Sequence, residues 1–234
     1  MRINEHTWVS TKKVLLAPYS AHHVPKYHEW MKDPEIQEAT ASEPLTLDEE
    51  YAMQRSWRTD ADKLTFIICR PHDSLKETRD GRFDLDSMIG DVNLFISTTE
   101  DGCDTQIVIG ELELMIAEHG EQNKGYGRAA LLAFMNFIIR HEPDLLAEYH
   151  APQSLGTNMQ PTAFDHFAVK IGATNSRSIA LFESLGFNKT STLPSYFGEY
   201  ELRLDKDGMR AFIDGDFPAR NPLDGYRELS YSCS

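Results

Sequence analysis

Two glycines stand one residue apart where a polar turn passes into an apolar run, in the stretch EHGEQNKGYGRAALL that begins at Glu118. Gly125 and Gly127 have no Cβ, so a ligand can approach the main chain closely at these positions. The first amides of a helix have no acceptor within the helix and lie at the positive end of its dipole. A glycine turn that opens a helix is therefore a candidate binding site for an anion such as a diphosphate.

Two known nucleotide-binding motifs contain a glycine turn before a helix and were compared with this stretch. The GxxxxGK[ST] motif is absent from the chain. Gly125, Gly127 and Ala130 do fit the GxGxxA pattern of dinucleotide-binding folds. That pattern turns tightly from strand to helix within repeated parallel βαβ units, whereas Glu118–Lys124 separate the predicted strand from Gly125. A nicotinamide-dependent enzyme is therefore the weaker alternative.

The elements that position the turn follow from the spacing of apolar residues. Strands are predicted at Val14–Tyr19, Thr65–Cys69, Met88–Ser97, Gly110–Ala117, 167–171, 187–193 and 198–204. Helices are predicted from Val24 to a stop at Pro34, from a capping box of Thr46 and Glu49, over Gly127–Arg140, and from Asn175 to a stop at Gly186. In the last strand before the turn, alternation is lost after Glu113, which predicts a bulge or full burial. This order predicts an α/β (α+β) fold with a mixed sheet of about seven strands and about four helices.

Composition limits the class of partner. The chain has 234 residues, of which 41% are hydrophobic, which is enough for the core of one large domain. Its formal net charge of −14 argues against a protein that binds the phosphate backbone of nucleic acids. Cationic partners such as peptides with a free amine suit this charge, and an acidic surface that serves only solubility is an equal alternative.

The cysteines, histidines and apolar runs exclude several kinds of site. Cys69, Cys103 and Cys233 are odd in number and widely spaced, so neither a disulfide framework nor a zinc site is predicted. The histidines, including His22 and His23, lack the spacing of a metal site, so no metal is expected. No apolar run reaches the roughly 20 residues of a membrane span, and we expect a soluble cytoplasmic protein.

Two motifs together resemble those of a known family. Gln122-x-x-Gly125-x-Gly127 resembles the acetyl-CoA signature of the GCN5-related N-acetyltransferases, and NSRSIALFESLGF from Asn175 resembles their second motif. The two occur in the family's order, about 50 residues apart. Shorter stretches from MRINEHT to GEYELRL resemble the N-acetyltransferase 9-like branch. The resemblance implies the GNAT acyl-CoA N-acyltransferase fold in a single domain over 1–204. The segments 71–87, 143–162 and 205–234 lie outside it, and their composition predicts two inserted loops and a loosely packed tail.

The resemblance also implies which residues contact acetyl-CoA. The residues whose amides would surround the diphosphate are Gln122, Asn123, Lys124, Gly125, Tyr126, Gly127 and Arg128. Arg128 would either screen phosphate charge or remain a solvated cation. Met115, Ile116 and Ala117 would pair with pantetheine through their main chain, and the Met115 amide would face the thioester oxygen. These three residues are otherwise ordinary core residues.

For catalysis, the resemblance implies a base that takes a proton from the attacking amine. Glu111 has the spacing of a strand glutamate used by some family members, and Glu113 shares its face by the period of a strand. The alternative is that both are solvated carboxylates. Many relatives carry a tyrosine that protonates the thiolate, but Phe182 stands there and cannot donate a proton. Ser178 is similar to a serine that some ribosomal-protein acetyltransferases use, or it is a small spacer.

Cofactor and substrate contacts complete what the resemblance implies. Asn175 would cap its helix and meet pantetheine, next to Ser178 and Phe182. Ala39–Leu47 and Tyr196–Tyr200 would line the amine entrance, where acidic side chains would suit a cation; these are Glu43 and either Glu199 or Glu201. Members of the branch are described as N-terminal acetyltransferases with α- and β-tubulin as proposed substrates. The alternative is a catalytically weak acetyl-CoA-binding module that acts as a microtubule-associated protein. Neither nucleic acid nor a membrane is an expected partner, and the sequence does not reveal the oligomeric state.

Overall fold

The computed structural model describes residues 1–71, 85–153, 160–213 and 223–230. Its contacts divide the chain into two compact units. Unit 1 comprises Met1–Asn93, Leu114–Phe137 and Leu223–Ser234, and unit 2 comprises Leu94–Glu113 and Ile138–Pro222.

Nine strands and seven α-helices lie within the described residues. The strands are β1 Thr7–Ser10, β2 Leu15–Pro18, β3 Lys63–Cys69, β4 Met88–Glu100, β5 Gln106–Ile116, β6 Phe164–Gly172, β7 Asn188–Lys189, β8 Glu199–Asp205 and β9 Arg227–Ser230. The helices are α1 Val24–Trp30, α2 Pro34–Ala39, α3 Leu47–Thr59, α4 Tyr126–Arg140, α5 Glu142–His150, α6 Ser176–Glu183 and α7 Lys206–Ile213. The predicted α/β class is confirmed, with more strands and helices than the sequence indicates. β4, β5 and α4 have residues in both units.

The strands of unit 1 follow the order β9-β1-β2-β3-β4. β1 pairs antiparallel with β2 on one side and with β9 on the other, and β2 pairs antiparallel with β3. On β3, Phe66 and Ile67 point to opposite faces because side chains alternate along a strand. Phe66 meets Phe134 and Phe137 of α4 edge-on, with ring centroids 6.0 and 5.4 Å away. Ile67 belongs to the buried cluster of the other face, where α1 contributes Tyr27 and Trp30.

The helix ends of unit 1 show which local signals are reliable. The predicted capping box is confirmed, since the Thr46 hydroxyl accepts from the Glu49 amide at 3.3 Å and Glu49 Oε2 accepts from the Thr46 amide at 2.8 Å. Pro34 does more than end the first helical pattern, because it also begins α2. Its missing N–H costs nothing at this position, and Asp33 accepts from the Glu35 amide at 2.9 Å.

Unit 2 contains the one parallel strand pair whose register is defined in the described residues. The order is β4-β5-β6-β8-β7, with β5 and β6 parallel and β6 antiparallel to β8. The β5–β6 register shifts between Val108 and Ile109 and ends at Glu111 and Ala168, although both strands continue. This register shift thus precedes the stretch after Glu113, where the alternation of polar and apolar residues is lost. In that stretch Met115 is buried, with 9% of its surface exposed, whereas Leu114 and Ile116 are half-buried, so burial there is only partial.

Two predictions of irregular structure are partly wrong. Part of the predicted loop 143–162 is helical, because α5 begins with a proline in its first turn and buries Leu145 and Leu146. The predicted loose tail contains α7, which buries Met209 and Phe212, and β9, which pairs with β1. That pairing joins distant parts of the chain, so no local pattern indicates it. Of the predicted loop 71–87, residues 72–84 lie outside the described residues.

Membrane spans, metal groups and disulfides were sought in the described residues only. None of the helices there has the length and apolarity to cross a membrane. No group of three or more His, Cys, Asp or Glu side chains there could hold a metal ion. Cys69 and Cys103 are free thiols, and Cys233 lies outside the described residues.

A buried carboxyl lies on β4 in unit 1. Asp91 is 2% exposed and accepts hydrogen bonds from Asn93 Nδ2 at 2.8 Å and from the Tyr27 hydroxyl at 3.4 Å. Burial raises the pKa of Asp91 to about 6, and the two hydrogen bonds offset only part of that effect. The polar residues of MIGDVNLFIS, at alternate positions of an apolar run, are the sequence signal that could have indicated this group.

We predict that Asp91→Asn stabilises the protein at neutral pH. The pKa of Asp91 rises from its ordinary value of 3.8 to about 6 on folding, so the folded chain binds this proton more tightly. The stabilisation from this group is complete below pH 3.8 and is lost as the pH rises through 6. The amide of the variant carries no charge at any of these pH values and avoids that loss. The free energy of unfolding should therefore exceed that of wild type by about 1–3 kcal/mol at pH 7 and by little near pH 4.

Urea unfolding of both proteins at several pH values between 4 and 8 measures this difference. The exposed Asp48→Asn on α3 corrects for the change in net charge. A difference between Asp91→Asn and wild type that stays constant over this range would show that Asp91 titrates as it does in the unfolded chain.

Candidate functional site

The turn between β5 and α4 is closed by local hydrogen bonds. Residues His119–Glu121 form a short 3-10 helix, after which Gln122 Nε2 donates to the Ile116 carbonyl at 3.0 Å. Asn123 and Gly125 then adopt the left-handed conformation, with φ of 61° and 82°. Glycine, and asparagine among the other residues, tolerate this conformation best. The residue types of the turn therefore match its backbone.

The space beside Gly125 is open. A Cβ on Gly125 would lie 4.0 Å from Lys13 Cε and would meet no other described atom within 4 Å. The glycine is thus favoured by its positive φ, and Lys13 is the one described side chain, apart from those of the adjoining residues, that comes within 4 Å of its Cβ position. This space agrees with the expected approach of a ligand to the main chain, but that Gly125 binds a coenzyme stays a prediction.

The start of α4 presents main-chain donors at this turn. The first hydrogen bond of the helix runs from the Ala129 amide to the Gly125 carbonyl, 3.1 Å away. The amides of Tyr126 and Gly127 precede it and therefore have no acceptor within the helix. They lie at the positive end of a helix of 15 residues, where an anion is stabilised.

The cations around the turn differ in their partners. Lys124 pairs with Glu121 at 3.0 Å, and Arg70 lies 3.6 Å from the same carboxylate. Lys13, from the turn between β1 and β2, places its Nζ 5.0 Å from the centroid of the Tyr126 ring. Sequence analysis missed Lys13, because only the fold brings it beside Gly125.

Two ion pairs connect the beginning of the turn to the first helices. Glu118 accepts from Lys26 Nζ at 2.6 Å and from Trp30 Nε1 at 2.8 Å, and the Lys26 hydrogen bond is the main cause that lowers the pKa of Glu118. His119 Nε2 and Asp33 Oδ2 are 2.8 Å apart, and their hydrogen bond raises the pKa of His119. The packing of α1 and α2 is thus coupled to the position of the turn.

The end of β5 is held against β4 through its main chain. The Met115 carbonyl lies so close to Gly90 that a Cβ there would be 1.9 Å from its oxygen. The Ala117 amide donates to the Ile89 carbonyl at 2.8 Å, and the Ile116 carbonyl accepts from Gln122. The Ala117 amide and Ile116 carbonyl are therefore engaged within unit 1. That these residues bind pantetheine stays a prediction.

The two candidate bases have different surroundings in unit 2. Glu111 forms an ion pair with Lys170 of β6, with 2.7 Å between Oε2 and Nζ. That hydrogen bond is the main cause that raises the pKa of Lys170. Glu113 is exposed. Protonation of Glu111 would break its ion pair with Lys170. The sequence did not reveal this pairing.

The second motif forms α6 as predicted. Asn175 caps the helix, since its side chain accepts from the Ser178 amide at 3.1 Å, and Gly186 follows the helix with a φ of 94°. Ser178 is half-buried. Phe182 is 3% exposed and packs edge-on against Phe187, with centroids 5.2 Å apart. Phe182 is therefore a core residue of unit 2, and the coenzyme contacts of Asn175, Ser178 and Phe182 stay predictions.

The two predicted substrate segments are largely exposed within their own units. In unit 1, Glu43 is exposed and Leu47 is 41% exposed. In unit 2, Tyr196 and Phe197 are 98% and 83% exposed, in the connection that precedes β8. Such side chains are available to a peptide, but an acceptor role for either segment stays a prediction.

Comparison with known proteins identifies the family. The Acetyltransferase (GNAT) domain model matches residues 13–188. The alpha/beta-tubulin-N-acetyltransferase 9 of Homo sapiens is 42% identical over 206 residues, which cover 87% of this chain and 86% of that protein. The N-acetyltransferase 9-like protein of Schizosaccharomyces pombe is 38% identical over 228 residues, covering 87% and 98% of the two chains.

Solved structures share the fold at low sequence identity. Spermidine N-acetyltransferase from Vibrio cholerae, in complex with CoA and spermine, aligns with a TM-score of 0.56 and 13% identity over 85% of this chain and 98% of its own. The RimL ribosomal L7/L12 alpha-N-protein acetyltransferase, in complex with coenzyme A, aligns with a TM-score of 0.55 and 12% identity over 85% and 97%. The match of the family model and the identities to curated relatives show that the chain belongs to the GNAT family of acetyltransferases, in its N-acetyltransferase 9-like branch.

Proposed function

We propose that this chain transfers the acetyl group of acetyl-CoA to an amine of a protein, specifically to an N-terminal α-amino group. The supporting observation is the open turn at Gly125, followed at once by the first amides of α4, which have no acceptor within the helix. Relatives named alpha/beta-tubulin-N-acetyltransferase 9 make tubulin the first acceptor to test.

The turn suits the diphosphate of the coenzyme. Gly125 adopts a left-handed conformation and has no Cβ. The helix that follows provides amide donors at the positive end of its dipole. The main chain of Gln122–Arg128 would hold the diphosphate, and Met115–Ala117 would hold pantetheine.

The chemistry requires a neutral amine. Acetyl-CoA supplies an acetyl thioester, in which the C–S bond breaks as the new C–N bond forms. An α-amino group has a pKa of roughly 7.7–8.0, so much of it is protonated at neutral pH. A base must therefore accept a proton from the amine, and the thiolate takes one up as it leaves.

Of the two glutamates, Glu113 is the better base. The Glu111 carboxylate already accepts a hydrogen bond from the Lys170 ammonium, and this ion pair would be lost if Glu111 were protonated. Glu113 is exposed, so a proton taken from the amine can pass on to solvent. We assign Glu113 as the base and Glu111 as the partner of Lys170.

Glu113→Gln should therefore lower kcat more than Glu111→Gln does. Loss of a general base typically costs about 10²- to 10⁴-fold in rate, whereas loss of an exposed ion pair should change the rate only a few-fold. Release of CoA thiol from acetyl-CoA and an N-terminal peptide gives kcat, and calorimetric titration with CoA shows whether the coenzyme still binds. A greater loss in Glu111→Gln would reverse the two roles, and unchanged turnover in both variants would remove both from the mechanism.

Gly125→Ala should weaken acetyl-CoA binding at least tenfold. A left-handed conformation costs a residue with a Cβ roughly 1–2 kcal/mol, and the new methyl group would occupy the open face of the turn. Gly120→Ala is the matched control, since Gly120 has no described atom within 4 Å of its Cβ position and no positive φ. Calorimetric titration gives both affinities. Equal affinities in the two variants would exclude Gly125 from the coenzyme site.

Peptide acceptors distinguish the kinds of activity. A tubulin N-terminal peptide should release CoA thiol from acetyl-CoA, whereas the same peptide with a blocked α-amine and an internal lysine should not. Reaction of the blocked peptide alone would establish a lysine acetyltransferase. Binding of acetyl-CoA without acceleration by any peptide would favour the alternative of a binding module, which Phe182 at the usual tyrosine position suggests.

A further inference from the structure

We infer that Lys13 is an additional binding residue for the diphosphate of the coenzyme, an inference that depends on the proposed function. Lys13 lies on the exposed turn between β1 and β2. Apart from Gly125 and its two chain neighbours, Lys13 Cε is the one described atom within 4 Å of the Cβ position of Gly125, and Lys13 Nζ lies over the Tyr126 ring. The side chain thus reaches the first residues of α4 from a distant part of the sequence.

The charge of Lys13 is not neutralised by a carboxylate. Among the described residues Lys13 forms no ion pair, whereas Lys12 pairs with Asp224 at 3.6 Å and Lys124 pairs with Glu121 at 3.0 Å. Arg70 also approaches Glu121. In a chain with a net charge of −14, an anion is repelled over most of the surface. An unpaired ammonium beside helix amides provides a local attraction for a phosphate.

The backbone directs Lys12 and Lys13 to different partners. The Thr11 hydroxyl accepts from the amides of Lys13 and Val14 at 3.1 and 2.9 Å, which closes the turn. The Lys12 amide donates to the Asp224 carbonyl at 2.8 Å, just before β9. The segment that includes β9 therefore holds Lys12, while the side chain of Lys13 extends towards the glycine turn.

The contact with the Tyr126 ring holds the Lys13 ammonium near the turn. Unlike a carboxylate, the ring does not neutralise its charge. A cation at 5.0 Å from a ring centroid keeps its hydrogen-bond donors available, because the ring face accepts none of them strongly. The three donors of Lys13 can therefore bind phosphate oxygens, and the ring restricts where the chain places them.

Calorimetric titration with CoA and with dephospho-CoA tests the assignment. Lys13→Gln should weaken both ligands by the same factor, roughly tenfold, because both carry the diphosphate. Lys13→Arg keeps the charge and should bind within about threefold of wild type. Lys12→Gln is the matched control, one residue away and exposed, and should bind as wild type does. Added salt should reduce the difference between wild type and Lys13→Gln.

The possible failures are distinguishable. Wild type that binds neither CoA nor acetyl-CoA overturns the proposed function. Wild type that binds CoA, with Lys13→Gln equal to it or Lys12→Gln equally impaired, overturns the role of Lys13 alone. If Lys13→Gln binds CoA more weakly than wild type but binds dephospho-CoA equally well, the diphosphate assignment is overturned. The lost contact would then be with the 3′-phosphate. Thermal unfolding of the ligand-free variants should stay close to wild type, since Lys13 is exposed.

Discussion

The main chain at the start of α4 is the feature on which the site depends. A helix cannot satisfy its own first amides, and the left-handed residues Asn123 and Gly125 leave those amides accessible. The acidic side chains of the turn form ion pairs with nearby lysines: Glu121 pairs with Lys124, and Glu118 pairs with Lys26. A chain of strongly negative charge thus has, at the start of α4, main-chain donors at the positive end of a helix dipole.

The surroundings of the turn restrict its movement from several directions. Gln122 closes it onto the end of β5, and Glu118 joins it to α1 through Trp30 and Lys26. Close approach of the Met115 carbonyl to Gly90 fixes the end of β5 against β4. These contacts fix the position of the turn and of the main-chain donors that follow it.

Local signals predicted the elements that their own residues specify. The capping box at Thr46, the stop at Gly186 and the cap at Asn175 each involve residues a few positions apart, and the structure confirms all three. The open face at Gly125 followed from the same kind of reasoning. In contrast, α5 and the pairing of β9 with β1 were missed, because their stability comes from contacts with residues that are remote in sequence.

The sequence by itself determined the family, the class of fold and the glycine turn, because motif spacing and backbone preference are properties of neighbouring residues. Only the tertiary structure decided which charges meet. It paired Glu111 with Lys170, buried Asp91 beneath Tyr27, and placed Lys13 beside Gly125. The strength of a Coulombic interaction depends on the distance between the charges, and the effect of burial depends on the exclusion of solvent. Both are set only when segments that are distant in sequence have packed together.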